Sequence, residues 1–129
     1  MAAPRVLVVD DEQPLARILS FALQNEGFSV EVASDGIDCM NKISAFEPDA
    51  VLMDIMMPRL DGIETIRLLR QNQLHRNIVI IAVSAKASPR SQQEALDAGA
   101  DLFVKKPFQV AALIEAVVDR IPLAQPPRG

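Results

Sequence analysis

AVLMDIMMPRLDG, residues 50–62, is the stretch that decides the fold, because a short apolar run ends there at an acidic residue and a turn. The four residues before Asp54 are apolar, and such a run bounded by turn residues is typical of a strand buried on both faces. Pro58 and Gly62 then favour a loop over a longer strand. Three other apolar runs end on polar side chains in the same way: residues 6–9 before Asp10 and Asp11, residues 78–83 before Ser84, and residues 102–104 before Lys105 and Lys106.

Segments with helical periodicity separate the predicted strands. Ser88-Pro89 is a typical helix start, and Gly99 is a typical stop. The alternation of polar and apolar residues in Ser29–Ala33 predicts a strand at a sheet edge. Five repeats of strand then helix predict an α/β fold with a parallel sheet covered on both faces. The predicted strands cover residues 5–9, 29–33, 50–53, 78–83 and 101–105, and the predicted helices cover residues 13–26, 36–46, 62–72, 89–98 and 109–121.

Length and composition limit the classes of protein to consider. At 129 residues the chain fits one domain, expected over residues 1–121, with a Pro-rich tail or truncated linker over residues 122–129. A formal net charge of -4 argues against a surface that binds nucleic acid. No apolar run approaches the ~20 residues that span a bilayer. The single cysteine, Cys39, excludes an internal disulfide and favours a reducing cytoplasm.

The polar groups at the strand ends suggest one kind of chemistry. Parallel strands bring their carboxyl ends to one edge of the sheet, and such folds bind ligands there. Three carboxylates that converge repel one another unless a cation neutralises them, and a set of oxygen donors favours Mg²⁺. A lysine and a hydroxyl beside a carboxylate suit phosphoryl transfer, which depends mainly on positioning and charge neutralisation. The residues expected to converge are Asp10, Asp11, Asp54, Ser84 and Lys106.

With these motifs in place, the chain resembles a receiver domain of the two-component response regulators over residues 5–121. The resemblance implies a single doubly wound, flavodoxin-like sheet of five parallel strands in the order 2-1-3-4-5, with helices on both faces. Four segments carry it in the order and spacing of the family: residues 8–12 (VVDDE), 52–62 (LMDIMMPRLDG), 83–85 (VSA) and 99–108 (GADLFVKKPF).

The resemblance also implies roles for the acidic residues. Asp54 would accept a phosphoryl group from a phosphohistidine and form an acyl phosphate. Asp11 and Asp54 would bind Mg²⁺ together with the backbone carbonyl of Met56, and Asp10 would contribute through a water molecule. The chain would catalyse its own phosphorylation and slow dephosphorylation, and it would not be an enzyme toward other substrates.

A conformational switch follows from the same resemblance. Lys106 would contact the acyl phosphate, and the Lys106-Pro107 peptide bond would be cis, as X-Pro bonds in tight turns can be. Ser84 would move toward the phosphoryl group, and Phe103 would turn inward. The surface made by the fourth helix, fifth strand and fifth helix would then change. Ser84 and Phe103 stand where Thr and Tyr are common in the family, so a hydroxyl is kept at the first position and lost at the second.

The resemblance implies one partner that donates the phosphoryl group and another that receives the signal. A sensor histidine kinase or a phosphotransfer protein would supply the phosphoryl group. A downstream effector protein, or a C-terminal output domain after residue 121, would read the changed surface. Phosphorylation-dependent homodimers are common in the family, whereas direct contact of this domain with nucleic acid or membrane is not expected.

Three other protein classes share some of these residues but fit the sequence less well. A haloacid-dehalogenase phosphatase would need an acid where Met56 stands, and a flavodoxin-like FMN carrier would need a first loop less acidic than residues 10–12. A degenerate receiver that only binds partners conflicts with retention of all five site positions. Asp61 is read as a turn residue, Phe103 as either core or switch, and His75 as a surface residue.

Overall fold

Five parallel strands form one sheet in the computed structural model, which describes residues 3–57 and 60–121. The strands are β1 (Arg5–Val9), β2 (Ser29–Ala33), β3 (Ala50–Asp54), β4 (Val79–Ser84) and β5 (Leu102–Lys105). The helices are α1 (Gln13–Asn25), α2 (Gly36–Phe46), α3 (Gly62–Gln71), α4 (Pro89–Ala98) and α5 (Val110–Arg120), with a short 3-10 helix at Gln73–His75. The spatial order β2-β1-β3-β4-β5 confirms the predicted fold class. The predicted tail, residues 122–129, lies outside the described residues.

The sheet separates two apolar layers, because successive side chains of a strand point to opposite faces. One layer packs β1 residues Val6 and Val8 against α1 and α5. The other packs Leu7 and Val9 against the side of the sheet that carries α2, α3 and α4. Every residue of β3 is buried, whereas in β2 only Ala33 is buried and Val30 and Val32 are half-buried. The strand order places β2 at the edge of the sheet, as predicted. Each fully buried Val, Leu or Ile contributes roughly 1.5–3 kcal/mol.

Short polar side chains define where the helices begin. The Asp61 carboxylate accepts a hydrogen bond from the Glu64 backbone N–H at 2.9 Å, so the prediction of a turn and capping role for Asp61 is confirmed. Gly62 follows it, and a Cβ at this position would lie 2.5 Å from the backbone oxygen of Asp54. The chain therefore returns tightly past the end of β3, which is where the acidic residue of that strand is held.

His75 departs from the sequence-based expectation. It was predicted to lie on the surface, but only 6% of its surface is exposed. The residue belongs to the 3-10 helix, which packs on α3, and this turn folds the imidazole inward. The prediction was wrong because it assumed that a polar connection between two regular elements is exposed to solvent, as such connections usually are.

Arg70 ties the far end of α3 to the sheet and to the end of α4. Its guanidinium donates to the backbone oxygens of Gly99 at 2.9 Å and Ile78 at 2.7 Å, and to the Asp101 carboxylate at 2.9 Å. Asp101 also accepts from the Ile80 backbone N–H at 2.8 Å. Gly99 has φ of 126°, and a Cβ there would clash with the Arg70 side chain. Arg70 is thus a multiple donor in a partly buried joint that links α3, β4 and α4.

We expect Arg70→Ala to lower the free energy of unfolding by about 2–4 kcal/mol, because it leaves several backbone acceptors without their donor. The matched control is Arg67→Ala on the same helix, which removes only an exposed ion pair with Glu64 at 3.3 Å. That change should cost about 0.5 kcal/mol or less. Urea unfolding followed by circular dichroism measures both. Equal losses in the two variants would contradict a special role for Arg70.

Candidate functional site

The carboxyl edge of the sheet brings together side chains that are far apart in sequence. Asp54 is the last residue of β3, and Asp10 comes directly after β1. Both residues are buried, each with a relative exposure of 4%. Lys106 comes directly after β5, and its Nζ lies 3.5 Å from Asp54 Oδ2. The Lys106 backbone N–H donates to the backbone oxygen of Ser84 at 2.9 Å, which extends the pairing of β5 with β4 up to the site.

Three carboxylates form a compact acidic cluster at this edge. One oxygen each from Asp10, Glu12 and Asp54 lies within 4.8 Å of the others. The Glu12 backbone N–H donates to Asp10 Oδ1 at 2.8 Å, and the Met56 backbone N–H donates to Asp54 Oδ1 at 3.1 Å. These bonds fix the loops that carry the acids. Asp11, the predicted direct metal ligand, is exposed and lies outside this cluster.

Sequence reasoning missed Glu12 as a member of the site. The chain bends at Asp11, and the Glu12 backbone N–H donates to Asp10 Oδ1, so the loop that follows β1 carries the Glu12 carboxylate back toward Asp10 and Asp54. Glu12 is indeed the extended residue directly before α1. The position of Glu12 after a buried strand end was the signal that could have found it.

Burial makes negative charge costly at this edge. Desolvation raises the pKa of Asp54 to about 6, the nearby Lys106 ammonium opposes the rise, and the Asp10 carboxylate adds to it. Burial likewise raises the pKa of Asp10. Burial by itself would lower the pKa of Lys106, but Asp54, Asp10 and Glu12 together raise it. Lys106 therefore remains a cation, and ionisation of Asp54 costs more free energy here than in water unless a further positive charge is added.

The donor set fits a hard divalent cation. The clustered side chains are all carboxylates, and Mg²⁺ and Ca²⁺ prefer oxygen ligands. Three acids face one lysine, so an added dication would remove the excess negative charge that raises the pKa of Asp54. The chemistry of the residues thus agrees with the predicted need for a metal.

Ser84 and Phe103 border one cavity beside the acidic cluster. Ser84 is 1% exposed, and its hydroxyl accepts a hydrogen bond from the Lys86 backbone N–H at 3.1 Å. Phe103 is half-buried and packs against the apolar layer on the α3 and α4 side. The cavity has a volume of about 430 Å³, and its lining also includes Met57 and Glu94. Phe103 thus contacts the core and has adjacent space into which its ring can turn.

The helix above this cavity, α4, is attached mainly by its C-terminal half. Ala95 and Ala98 are its buried side chains, whereas none of residues 89–94 is buried. Gly99 at its end receives the bond from Arg70. Few buried contacts mean a low cost of local movement, so the N-terminal half of α4 is the part of the helix that shifts most readily.

The predicted Lys106-Pro107 cis peptide bond is confirmed.

Comparison with known proteins gives a consistent result. The family described as Response regulator receiver domain matches residues 6–118. Response regulator MprA of Mycobacterium avium (strain 104) is 40% identical over 110 residues, which make up 85% of this chain and 47% of MprA. MprA of Mycobacterium sp. (strain KMS) is 41% identical over the same length and shares. The chain therefore spans about half the length of the curated relatives it matches.

Solved structures agree with this match. The Francisella response regulator 1452 receiver domain has a TM-score of 0.84 at 33% identity, over 91% of this chain and 95% of that one. Chemotaxis protein CheY4 of Vibrio cholerae has a TM-score of 0.88 at 28% identity, over 93% of this chain and all of that one. The similarity thus extends over nearly the whole chain.

We expect Asp54→Asn to stabilise the metal-free protein at neutral pH by about 1–3 kcal/mol, because it removes a buried charge. A raised carboxyl pKa means that the folded protein binds the proton more tightly than the unfolded chain. The contribution is therefore present below about pH 4 and lost as the pH rises through about 6. The gain in the variant should accordingly be large at pH 7.5 and absent at pH 4.

Thermal unfolding with a chelator present, measured across that pH range, checks the expectation. The control is Glu31→Gln on the exposed side of β2, which should change stability by less than about 0.5 kcal/mol at either pH. Equal stability of wild type and Asp54→Asn at pH 7.5 would argue against a buried, penalised carboxylate.

Proposed function

The chain belongs to the response regulator receiver domain family, and from that premise we propose that Asp54 is its phosphoacceptor and that the domain is a phosphorylation switch. The observation that carries the proposal is the pairing of a buried carboxylate with a lysine, Asp54 Oδ2 to Lys106 Nζ at 3.5 Å, beside two further acids at the sheet edge. In this proposal Asp54 is the nucleophile, Lys106 is the cation for the phosphoryl oxygens, and the neighbouring acids hold the metal.

The transfer itself needs few groups. An Asp54 carboxylate oxygen attacks phosphorus and forms a new O–P bond. The P–N bond of the phosphohistidine donor breaks, and its electron pair stays on the imidazole nitrogen. Lys106 and the Ser84 hydroxyl are the side chains suited to the phosphoryl oxygens, because Lys106 lies 3.5 Å from Asp54 and Ser84 ends the strand that pairs with β3. Positioning and charge neutralisation supply most of the rate in such reactions.

The metal requirement rests on the donor set. We propose that Asp11, Asp54 and the backbone carbonyl of Met56 hold Mg²⁺, with Asp10 acting through water. Asp11 is exposed and lies outside the cluster of Asp10, Glu12 and Asp54, but it is near enough for its charge to raise the pKa of Asp54. Bound Mg²⁺ supplies positive charge that offsets the repulsion between the carboxylates and the incoming phosphoryl group. Burial, together with the neighbouring acids, raises the pKa of both Asp54 and Asp10, and a bound dication would favour their ionised forms, which supports a metal at this edge.

The output depends on elements that are loosely held. After transfer, Ser84 moves toward the phosphoryl group and Phe103 turns into the cavity that both residues line. The N-terminal half of α4, which has no buried side chain, then shifts with them. The surface of α4, β5 and α5 is what a partner reads, and pairing of two phosphorylated copies through that surface is part of the proposal.

The proposed partners follow from the family. A sensor histidine kinase or phosphotransfer protein in the cytoplasm donates the phosphoryl group, and an effector protein or a C-terminal output domain receives the signal. The described helices include none that is long and apolar enough to cross a membrane. Direct binding of nucleic acid by this domain is not proposed, since the net charge is -4.

Acetyl phosphate with Mg²⁺ should label the wild-type protein with one phosphoryl group, and Asp54→Asn should abolish the label. The reason is that the amide cannot attack phosphorus. Intact-mass spectrometry counts the groups, and peptide mapping locates them. The matched control is Asp97→Asn on the exposed face of α4, which should be labelled like wild type. Labelling of Asp54→Asn at the wild-type rate would overturn the acceptor assignment.

Magnesium should raise the stability of the unphosphorylated protein. At a free concentration 100-fold above its dissociation constant, the gain is about 2.7 kcal/mol if the ion binds only the folded state. Asp54→Asn should lose most of this gain, because it removes a proposed ligand. Melting curves at increasing Mg²⁺ measure both proteins. A melting curve for wild type that does not move would count against a metal site at this cluster.

A further inference from the structure

Lys106 lies between two carboxylates and is bound tightly to neither. Its Nζ is 3.5 Å from Asp54 Oδ2 and 3.4 Å from Glu12 Oε1. Charge-assisted hydrogen bonds between an ammonium and a carboxylate are typically about 2.7–2.9 Å long. The two acids differ in their surroundings, because Asp54 is 4% exposed and Glu12 is 62% exposed. The lysine is thus shared between the buried acceptor and a solvated acid.

The position of Glu12 is built by its surroundings. Its backbone N–H is held by Asp10 Oδ1 at 2.8 Å, which fixes the start of the side chain beside the site. Glu12 occupies the capping position of α1, but its side chain makes no capping hydrogen bond. The side chains that commonly bond the first turn from this position are the short ones of Ser, Thr, Asp and Asn, and the longer glutamate side chain extends past it. Here the carboxylate instead reaches Lys106, 94 residues away in sequence.

We infer that Glu12 is a positioning residue that slows phosphorylation by competing with the incoming phosphoryl group for Lys106. The inference rests on the proposed function and adds a regulator to that site. In the unphosphorylated protein, the Glu12 carboxylate draws the Lys106 ammonium toward solvent. During transfer, Lys106 has to leave Glu12 for the phosphoryl oxygens while the new bond forms at Asp54 and the donor bond breaks.

The size of the effect follows from exposure. Ion pairs that are largely solvated are weak, so Glu12 acts as a brake on Lys106 and does not block it. Its charge also repels a dianionic donor at close range, and salt screens that repulsion. Competition for Lys106 and repulsion of the donor both slow phosphorylation. Loss of the carboxylate should therefore speed phosphorylation several-fold.

The test uses the whole chain with acetyl phosphate and Mg²⁺ and follows the initial rate of labelling by intact-mass spectrometry. Glu12→Gln keeps the shape of the side chain and removes its charge, and it should label about three- to tenfold faster than wild type at low ionic strength. The matched control is Glu26→Gln, which makes the same change in net charge at the other end of α1. It should stay within about twofold of wild type.

A second variant separates the contact with Lys106 from charge alone. Glu12→Asp keeps the carboxylate but withdraws it by about 1.5 Å, which lengthens the 3.4 Å contact beyond ion-pair range. It should label faster than wild type and slower than Glu12→Gln. A wild-type rate for Glu12→Asp, combined with a fast Glu12→Gln, would show that contact with Lys106 is not the cause and would overturn the inference.

The remaining outcomes are also decisive. If wild type is labelled on Asp54 and Glu12→Gln is no faster, the inference fails and the proposed function stands. Equal acceleration by Glu26→Gln would likewise overturn it, because net charge would then explain the result. If wild type takes no label, the proposed function fails and this inference fails with it. Melting curves confirm that each variant is folded, as expected for a mostly exposed position.

Discussion

The site depends on one constraint: carboxylates are held out of water at the carboxyl edge of the sheet with less positive charge than they need. Asp10 and Asp54 are each 4% exposed, and Lys106 is the cation that the described residues place 3.5 Å from the acceptor. Desolvation raises the pKa of Asp54 to about 6 despite that lysine. Added positive charge would stabilise the ionised carboxylates at this edge, so the residues there fit a divalent cation.

The strand ends supply the rigidity that such a site needs. Asp54 ends a strand whose every residue is buried. The chain passes so close to it at Gly62 that a Cβ there would lie 2.5 Å from the Asp54 backbone oxygen. Side chains at buried strand ends are held by the packing behind them. The Asp54 carboxylate and the Lys106 ammonium, 3.5 Å apart, are therefore positioned by the sheet and not by the helices.

The opposite quality is found in α4. Its C-terminal half is held by two buried alanines and by the bond from Arg70 to Gly99, whereas residues 89–94 bury no side chain. Ser84 and Phe103 line the cavity next to this weakly held half. The domain thus combines a rigid carboxyl edge of the sheet with an adjoining helix segment that moves at low cost. The cavity of about 430 Å³ lies between them.

The sequence by itself determined the order of elements, the edge position of β2 and the grouping of Asp10, Asp54, Ser84 and Lys106, because strand periodicity and polar strand ends are local signals. Local signals also explain Asp61 as a helix cap. Tertiary structure decided what depends on side-chain direction across the chain. It placed Glu12 and not Asp11 in the acidic cluster, joined Arg70 to Gly99, and buried His75 under its turn. Strand-end positions place Glu12 and Lys106 at the same edge of the sheet, but packing of the whole sheet decides that their side chains, 94 residues apart in sequence, come into contact.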